Sequence, residues 1–350
     1  MIKKLNNLIC IFLISLILFL FLDFFFGKSL SRLIKIENVE EIYRVKNTNY
    51  SHTFKENFKT DSAVWGKKYY KFCSNDLGFK FNCIDKTQNN YEIVFIGDSM
   101  TEGIGLPYEK TFVGKFHNKV NLSVANMAVS SYSPNIYFKK IKYFIDNNLK
   151  FDHLIVGVDL TDFQDDWKRN NIEKKIKNDI SKKINFRDNL KVFLRKNLSI
   201  SYFILKQINW YYKLNFTKYA DHKHLDYYSN GASWSYLPKG KNFYDKKKII
   251  LKNLDNLYNL TNDRGIKFSI IIFPHQASVL YDKRNSTYYS IFKNFCIKKC
   301  YRFFDGYNIF FDMVDKTSRK EVSERYFIKY DSHLNENGHH IISKVLLDNL

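Results

Sequence analysis

Apolar residues crowd the start of the chain: residues 8–26 read LICIFLISLILFLFLDFFF, broken only by Ser15 and Asp23. As a helix rising about 1.5 Å per residue, this run spans roughly 28 Å, the thickness of a bilayer core. It is apolar on every side, whereas a helix packed along one face of a soluble core shows a single stripe. Lys3 and Lys4 precede it, the run exceeds a cleavable signal core, and Gly27-Lys28-Ser29 is a poor small-residue cleavage site. Residues 1–27 are therefore expected to be an uncleaved single-pass anchor, with the body exported to the periplasm or the cell exterior. Lys28, Arg32 and Lys35 on the far side of the run oppose the positive-inside pattern.

Residues 28–90 are polar and aromatic and form a connector without a recognisable element pattern. Beyond it the period changes. Residues 92–96 are a short apolar strand ending at Gly97, residues 120–125 a weaker strand, and residues 154–158 a buried one. Ser133-Pro134 opens a helix carrying Ile136, Ile141, Phe144 and Ile145, with Ser133 as N-cap and Pro134 in the first turn. A second helix from about Lys246 places Ile250, Leu254, Leu257 and Leu260 on one face and closes at Gly265. Residues 268–273 and 301–304 read as further strands, and residues 338–350 as a terminal helix. Strands separated by helices imply an α/β fold with a parallel sheet covered on both faces. The alternation stops at residues 164–245, a Lys-, Asn- and Tyr-rich stretch expected to be a helical insertion.

Composition supports a folded body, with 45% hydrophobic and 17% aromatic residues in 350. The formal charge of +21 invites a nucleic-acid reading. Yet the Lys residues are scattered and no recognition module is visible, so no nucleic-acid partner is expected; at most the charge attracts an anionic glycan or membrane surface. Of five cysteines, Cys10 lies in the anchor. Cys73 with Cys83 and Cys296 with Cys300 form two local pairs that suggest disulfides in an exported chain. Four unpaired buried thiols are the competing arrangement, and on a regular helix Cys296 and Cys300 would stand near the outer limit for a bridge. Neither pair has zinc-site spacing, and no metal or other cofactor is expected.

The chemistry gathers at two points. Gly97-Asp98-Ser99-Met100-Thr101-Glu102-Gly103 follows the first strand of the alternation, at the carboxyl end where parallel sheets place reactive groups. A serine there needs a base to become a nucleophile. Asp331-Ser332-His333-Leu334-Asn335-Glu336-Asn337-Gly338-His339 lies before the terminal helix, where His333 can supply the base and Asp331 can orient it. His339 and His340 read as helix surface or packing. Asp159, Asp162, Asp165 and Asp166 read as loop and helix-start carboxylates rather than a metal site.

GDSMTEG after the first strand, with DSHLNENGH before the last helix, resembles the SGNH (GDSL-type) hydrolase superfamily, in a branch with a DxH base motif. Asn75-Asp76-Leu77-Gly78-Phe79-Lys80 resembles the NxxGFR lead-in of some exported members. The resemblance covers residues 91–350 apart from the insertion. It implies a flavodoxin-like three-layer α/β/α sandwich, with Ser99 as nucleophile, His333 as base and Asp331 as its partner. It also implies an oxyanion hole of the Ser99 amide, a glycine amide and an asparagine side chain. Here Ser131, in Asn126-Met127-Ala128-Val129-Ser130-Ser131, takes the glycine position, and Thr161, in Asp159-Leu160-Thr161-Asp162, takes the asparagine position. Asp98, Asn126 and His275 are expected to line the substrate pocket. The aromatic residues of the insertion, among them Trp210, Tyr211, Tyr227, Tyr228, Trp234 and Tyr236, read mainly as its own small core.

The expected activity is that of a serine esterase or deacylase acting on an O-acyl ester of a small molecule or surface glycan. An O-acyltransferase using the same residues, and a catalytically silent glycan-binding protein on the same fold, are the alternatives.

Overall fold

The computed structural model describes residues 2–33, 43–65, 68–84, 87–178, 190, 193–194, 196–216, 243–329 and 331–350. Tyr227, Tyr228, Trp234 and Tyr236 lie outside the described residues. The chain divides into two compact units: Met1–Val39 with Asp179–Lys223, and Glu40–Asn178 with His224–Leu350.

The first unit contains helix α1, Ile2–Leu22, a π-helical turn, Asp23–Gly27, and helix α2, Lys28–Leu33. Through this stretch Asn6–Ser31 is long and apolar enough to cross a membrane, with a mean hydropathy of 2.9 over its most apolar 18 residues.

The second unit is the α/β body. Its elements in chain order begin with two antiparallel hairpins, β1 (Arg44–Asn47) with β2 (Ser51–Phe54), and β3 (Lys59–Trp65) with β4 (Lys68–Cys73). The connector that lacked an element pattern is thus largely strand. Its strands are short, and in β3 a register shift between Thr60 and Ala63 breaks the alternation of exposed and buried positions, so they carry no sustained period.

The main sheet has five parallel strands: β5 (Asn90–Ile96), β6 (Val124–Asn126), β7 (Lys150–Val158), β8 (Lys267–Ile272) and β9 (Arg302–Asp305). Their spatial order is β6-β5-β7-β8-β9. This is the flavodoxin-like order, with its switch point between β5 and β7. Helices cover both faces, among them α3 (Ser99–Glu102), α4 (Phe112–His117), α5 (Pro134–Asp146) and α6 (Thr161–Asn178). The first unit's α7 (Ser199–Phe216) follows in sequence. The body then continues with α8 (Phe243–Asn262), α9 (Gln276–Tyr281), α10 (Thr287–Lys299), α11 (Asn308–Val314), α12 (Arg319–Tyr326) and α13 (Glu336–Leu347).

Strand residues alternate between two cores, as buried parallel strands require. Val94, Ile96, Leu154, Val156, Ile270 and Ile272 pack with Ile250, Leu254 and Leu257 of α8. Ile93, Phe95, Ile155 and Ile271 pack on the other face with Phe112, Phe116 and Ile342. Truncating one of these Leu or Ile side chains to Ala costs about 2–5 kcal/mol.

Two boundaries differ from the sequence reading. The weak strand shrinks to Val124–Asn126 at the sheet edge. Ser133 starts α5 without using its hydroxyl as a cap. Cys73 is bonded to Cys83 and Cys296 to Cys300. The second bridge escapes the helical spacing because α10 ends at Lys299, and Cys300 turns to extended backbone, bringing the Cα atoms to 4.5 Å.

Candidate active site

Ser99 stands at the turn where β5 gives way to α3. The turn is tight because Thr101 packs back against the strands, and only glycines admit it. A Cβ on Gly97 would lie 2.2 Å from the Thr101 hydroxyl, and one on Gly157 would lie 2.0 Å from it. Asp98 caps α3, its Oδ1 accepting the Met100 amide at 2.9 Å.

The two distant motifs converge here. His333 Nε2 lies 2.8 Å from Ser99 Oγ, and His333 Nδ1 lies 2.5 Å from Asp331 Oδ1. The His333 amide also donates to Asp331 Oδ1, at 3.0 Å. With one residue between them, Asp331 thus holds both the backbone and the ring of His333. Burial works to raise the Asp331 carboxyl, but the neighbouring His333 and the hydrogen bonds it receives outweigh that and hold it below the usual range. In this arrangement the Ser99 hydroxyl can donate to Nε2 while Nδ1–H donates to the carboxylate, which is the proton path of a serine triad.

A residue that the sequence reading missed completes the group. Trp65, at the end of β3, donates its indole N–H to Asp331 Oδ2 at 2.8 Å. Its ring also meets His333 edge-on, with centroids 5.2 Å apart. Nothing in the local sequence marks Trp65, because its partner is 266 positions away.

Ser131 adopts φ +63°, the left-handed region that favours glycine. Three contacts hold it there. The Ser130 amide donates to buried Glu102 at 2.6 Å, and His52 Nε2–H donates to the Ser130 carbonyl at 2.8 Å. Arg169 donates to the Ser131 carbonyl at 2.5 Å. Arg44 completes the clamp through an ion pair with Glu102 at 3.0 Å. Burial pulls His52 down to about 4, which keeps its ring neutral. Among the described residues, neither the Ser99 nor the Ser131 amide donates to a protein acceptor.

Thr161 behaves differently from the asparagine whose place it takes. Its hydroxyl lies 2.6 Å from Asp159 Oδ1 and 3.3 Å from Asp98 Oδ2, and its amide donates to Asp159 Oδ1 at 2.7 Å. A threonine has one hydroxyl proton, and here a carboxylate takes it. Asp98, Asn126 and His275, expected at the pocket wall, instead lie beneath it, each no more than 3% exposed. Asn126 braces backbone, donating to the Thr101 carbonyl at 3.0 Å and accepting the Ala128 amide at 3.1 Å. His275 Nε2 stands 3.1 Å from Asp159 Oδ2. Burial and the adjacent Asp159 charge push Asp98 well above the usual carboxylate range. Burial opposes ionisation of Asp159, but His275 and the hydrogen bonds to it prevail and keep it low. The other acidic residues are also engaged: Asp162 accepts from Tyr137 and Asp166 from Asn135 and Asn253.

The lead-in motif is structural. Asn75 Oδ1 accepts the Leu77 and Phe79 amides, and Gly78 takes φ +70°. Buried Lys80 ties down the loop after α3, donating to the Gly103 and Leu106 carbonyls at 2.9 and 2.7 Å.

No family model matches the chain, and no curated protein matches its sequence. Solved structures of GDSL-type esterases are similar to it. One is a lipolytic G-D-S-L family protein from Veillonella parvula, with 12% identity over 74% of this chain and 97% of that one, and a TM-score of 0.42. Another is the esterase EstA from a Pseudoalteromonas species, with 10% identity over 75% and 96% and a TM-score of 0.38. A third is the acetylxylan esterase Axe2 from Geobacillus stearothermophilus, with 12% identity over 74% and 93% and a TM-score of 0.38. At these identities and superpositions the chemistry has to be read from this chain's own residues.

Proposed function

We propose that this chain is a membrane-anchored serine esterase or deacylase of the SGNH type, acting on an O-acyl ester of a surface glycan. The observation that carries this is the convergence of Ser99, His333 and Asp331 at 2.8 and 2.5 Å. Ser99 Oγ attacks the acyl carbonyl while His333 Nε2 takes its proton, and Asp331 stabilises the imidazolium that forms. The Ser99 and Ser131 amides receive the developing oxyanion, and the Glu102, His52 and Arg169 contacts hold the Ser131 amide in place beforehand. His333 then returns the proton to the leaving alkoxide. Water, deprotonated by the same imidazole, attacks the acyl-enzyme and releases the acid and free Ser99.

Anchorage and export are part of the proposal. The apolar helix through Asn6–Ser31 supports the anchor, and the two disulfides support an oxidising compartment for the body. An O-acylated glycan is the substrate class adopted, since a half-buried serine on an exported, basic body suits anionic surface polymers.

The test is hydrolysis of a short-chain aryl ester and labelling by a fluorophosphonate. The parent should hydrolyse the ester and carry the label on Ser99, whereas Ser99→Ala should do neither. A variant retaining the parent rate would overturn the assignment.

A further inference from the structure

The apolar run of residues 8–26 carries a carboxylate that a plain anchor does not need. Asp23 is only 3% exposed. Its Oδ1 accepts the Ile200 amide at 3.0 Å, and its Oδ2 accepts the Ser201 amide at 2.7 Å and the Ser201 hydroxyl at 2.6 Å. These amides belong to the first turn of α7 (Ser199–Phe216), which has no intrahelical acceptors of its own. Leu198, whose carbonyl receives the Tyr202 amide, stands at the cap position and offers no side-chain oxygen. Asp23 therefore caps α7 from a different helix. Gly27 makes the joint possible, because a Cβ there would lie 1.8 Å from Asp23 Oδ1. The backbone between them opens into the π turn, a feature often kept for such a purpose. A carboxyl at the end of a membrane-length run is costly unless its acceptors are satisfied. Here three donors satisfy them.

Past this joint, five apolar residues of α7 are exposed. Ile204, Leu205, Ile208, Tyr211 and Tyr212 are 42–65% exposed, and at about 100° per residue they share an arc of roughly 120°. Lys206 lies across the helix from Ile208 and is also exposed. A helix facing only water would show the reverse pattern. The sequence leading into and through it is basic, since residues 179–216 contain eight Lys and Arg against two Asp and Glu. An exposed apolar arc with tyrosines and a basic surround is the composition of a helix lying at a lipid headgroup boundary.

We propose that α7 is an interfacial helix that lies in the surface of an anionic phospholipid leaflet, held at that depth by the Asp23–Gly27 joint at the end of the spanning helix. This rests on the reading of α1 as a membrane span. The chain would thus meet the bilayer through two elements, one crossing it and one lying on it.

The experiment uses the full chain with Cys10→Ser, reconstituted in phosphatidylcholine–phosphatidylglycerol vesicles at about 7:3, an anionic surface of the kind basic segments bind. An environment-sensitive fluorophore is placed in turn on Ile14→Cys, Ile208→Cys and Lys206→Cys, and quenched by brominated acyl chains or by aqueous iodide. The expected result is bromolipid quenching at positions 14 and 208, with iodide quenching at 206. Adding Asp23→Leu should at least halve the bromolipid quenching at 208 and leave position 14 unchanged. Equal iodide access at 208 and 206, with position 14 still in lipid, would overturn the interfacial helix but keep the anchor. A probe at 208 shielded from both quenchers would mean that protein covers this face, and would also overturn it. Loss of bromolipid quenching at position 14 would instead sink the anchor reading itself.

Discussion

Two histidine–aspartate pairs stand at the carboxyl edge of the same sheet, and only one of them reaches Ser99. His333 and Asp331 are 2.5 Å apart, with side chains 13% and 8% exposed. His275 and Asp159 are 3.1 Å apart, with side chains 4% and 1% exposed. In both, the histidine draws its aspartate down against the effect of burial. The difference lies at the imidazole's far nitrogen. His333 Nε2 reaches Ser99 Oγ, whereas both His275 nitrogens are buried and neither makes a hydrogen bond of good geometry. The two pairs share their composition, and contact with the serine is what separates the proposed base from a buried support.

Exchanging the two histidines breaks this comparison most sharply. His333→Ala should lower kcat/KM for an aryl ester by about 10⁴-fold or more, with a smaller fall in Tm than the buried pair would show, because Asp331 keeps its Trp65 donor. His275→Phe should do the opposite. It leaves the Asp159 charge buried without its partner, at a cost of about 3–5 kcal/mol, and should keep the rate per folded molecule within about tenfold. Thermal melts and single-substrate kinetics on both variants decide the matter. A large rate loss in His275→Phe at constant Tm would move the base to the buried pair.

A third histidine sharpens the contrast because it has no carboxylate at all. His339 is buried in α13, and its Nδ1 accepts the Phe112 amide at 3.0 Å. Burial first, then the charges of Lys80, His333 and Lys115, pull it down to about 3. The unfolded chain therefore takes up a proton that the fold refuses. The His339 contribution to stability is complete above the ordinary histidine value near pH 6.5 and is lost as pH falls toward 3. Between pH 7 and 4.5 the loss from this one group is roughly 2–3 kcal/mol. Denaturation of the full chain in detergent should show that slope, and His339→Gln should flatten it.

Trp65 tests the supported pair from the other side. Trp65→Phe keeps the edge-on ring against His333 but removes the donor to Asp331 Oδ2. A hydrogen bond to a charged group contributes about 1.5 kcal/mol at the low end, so kcat/KM should fall about tenfold. With one donor fewer, Asp331 favours the imidazolium more strongly, and the acid limb of the pH–rate profile should move to higher pH. A purely packing role would lower Tm and leave that limb in place.

The sequence displayed these parts unequally, for physical reasons. Ser99, His333 and Asp331 were legible because each sits in a short motif at a predictable place, a strand end or a helix entry. The sheet was legible because residues 92–96, 154–158 and 268–273 are continuous apolar runs, the mark of strands buried on both faces. Trp65, His52, Arg44 and Glu102 were not legible. They act across long sequence separations, Arg44, His52 and Trp65 from short hairpin strands and Glu102 from α3. The placement of His275 misled for a related reason: position after a strand fixes the height of a residue along the sheet and not its depth below the surface.

The smallest expected effect concerns Thr161, which was expected at the asparagine position of an oxyanion hole. Its hydroxyl and amide both engage Asp159 Oδ1, at 2.6 and 2.7 Å. The single hydroxyl proton therefore goes to a carboxylate already held by His275, on the side of the buried pair. Thr161→Val retains the shape and the amide while removing that proton. If the oxyanion is held by the Ser99 and Ser131 amides alone, kcat should fall less than about tenfold, below the 10²–10³ loss that follows deletion of a working oxyanion donor. The Asp159 carboxylate would lose one donor, at about 1.5–3 kcal/mol, so Tm should fall even as the rate holds. A loss of 10²-fold or more in kcat with an unchanged Tm would reverse the assignment: Thr161 would then turn toward substrate during turnover, and the division between the two aspartate pairs would no longer be clean.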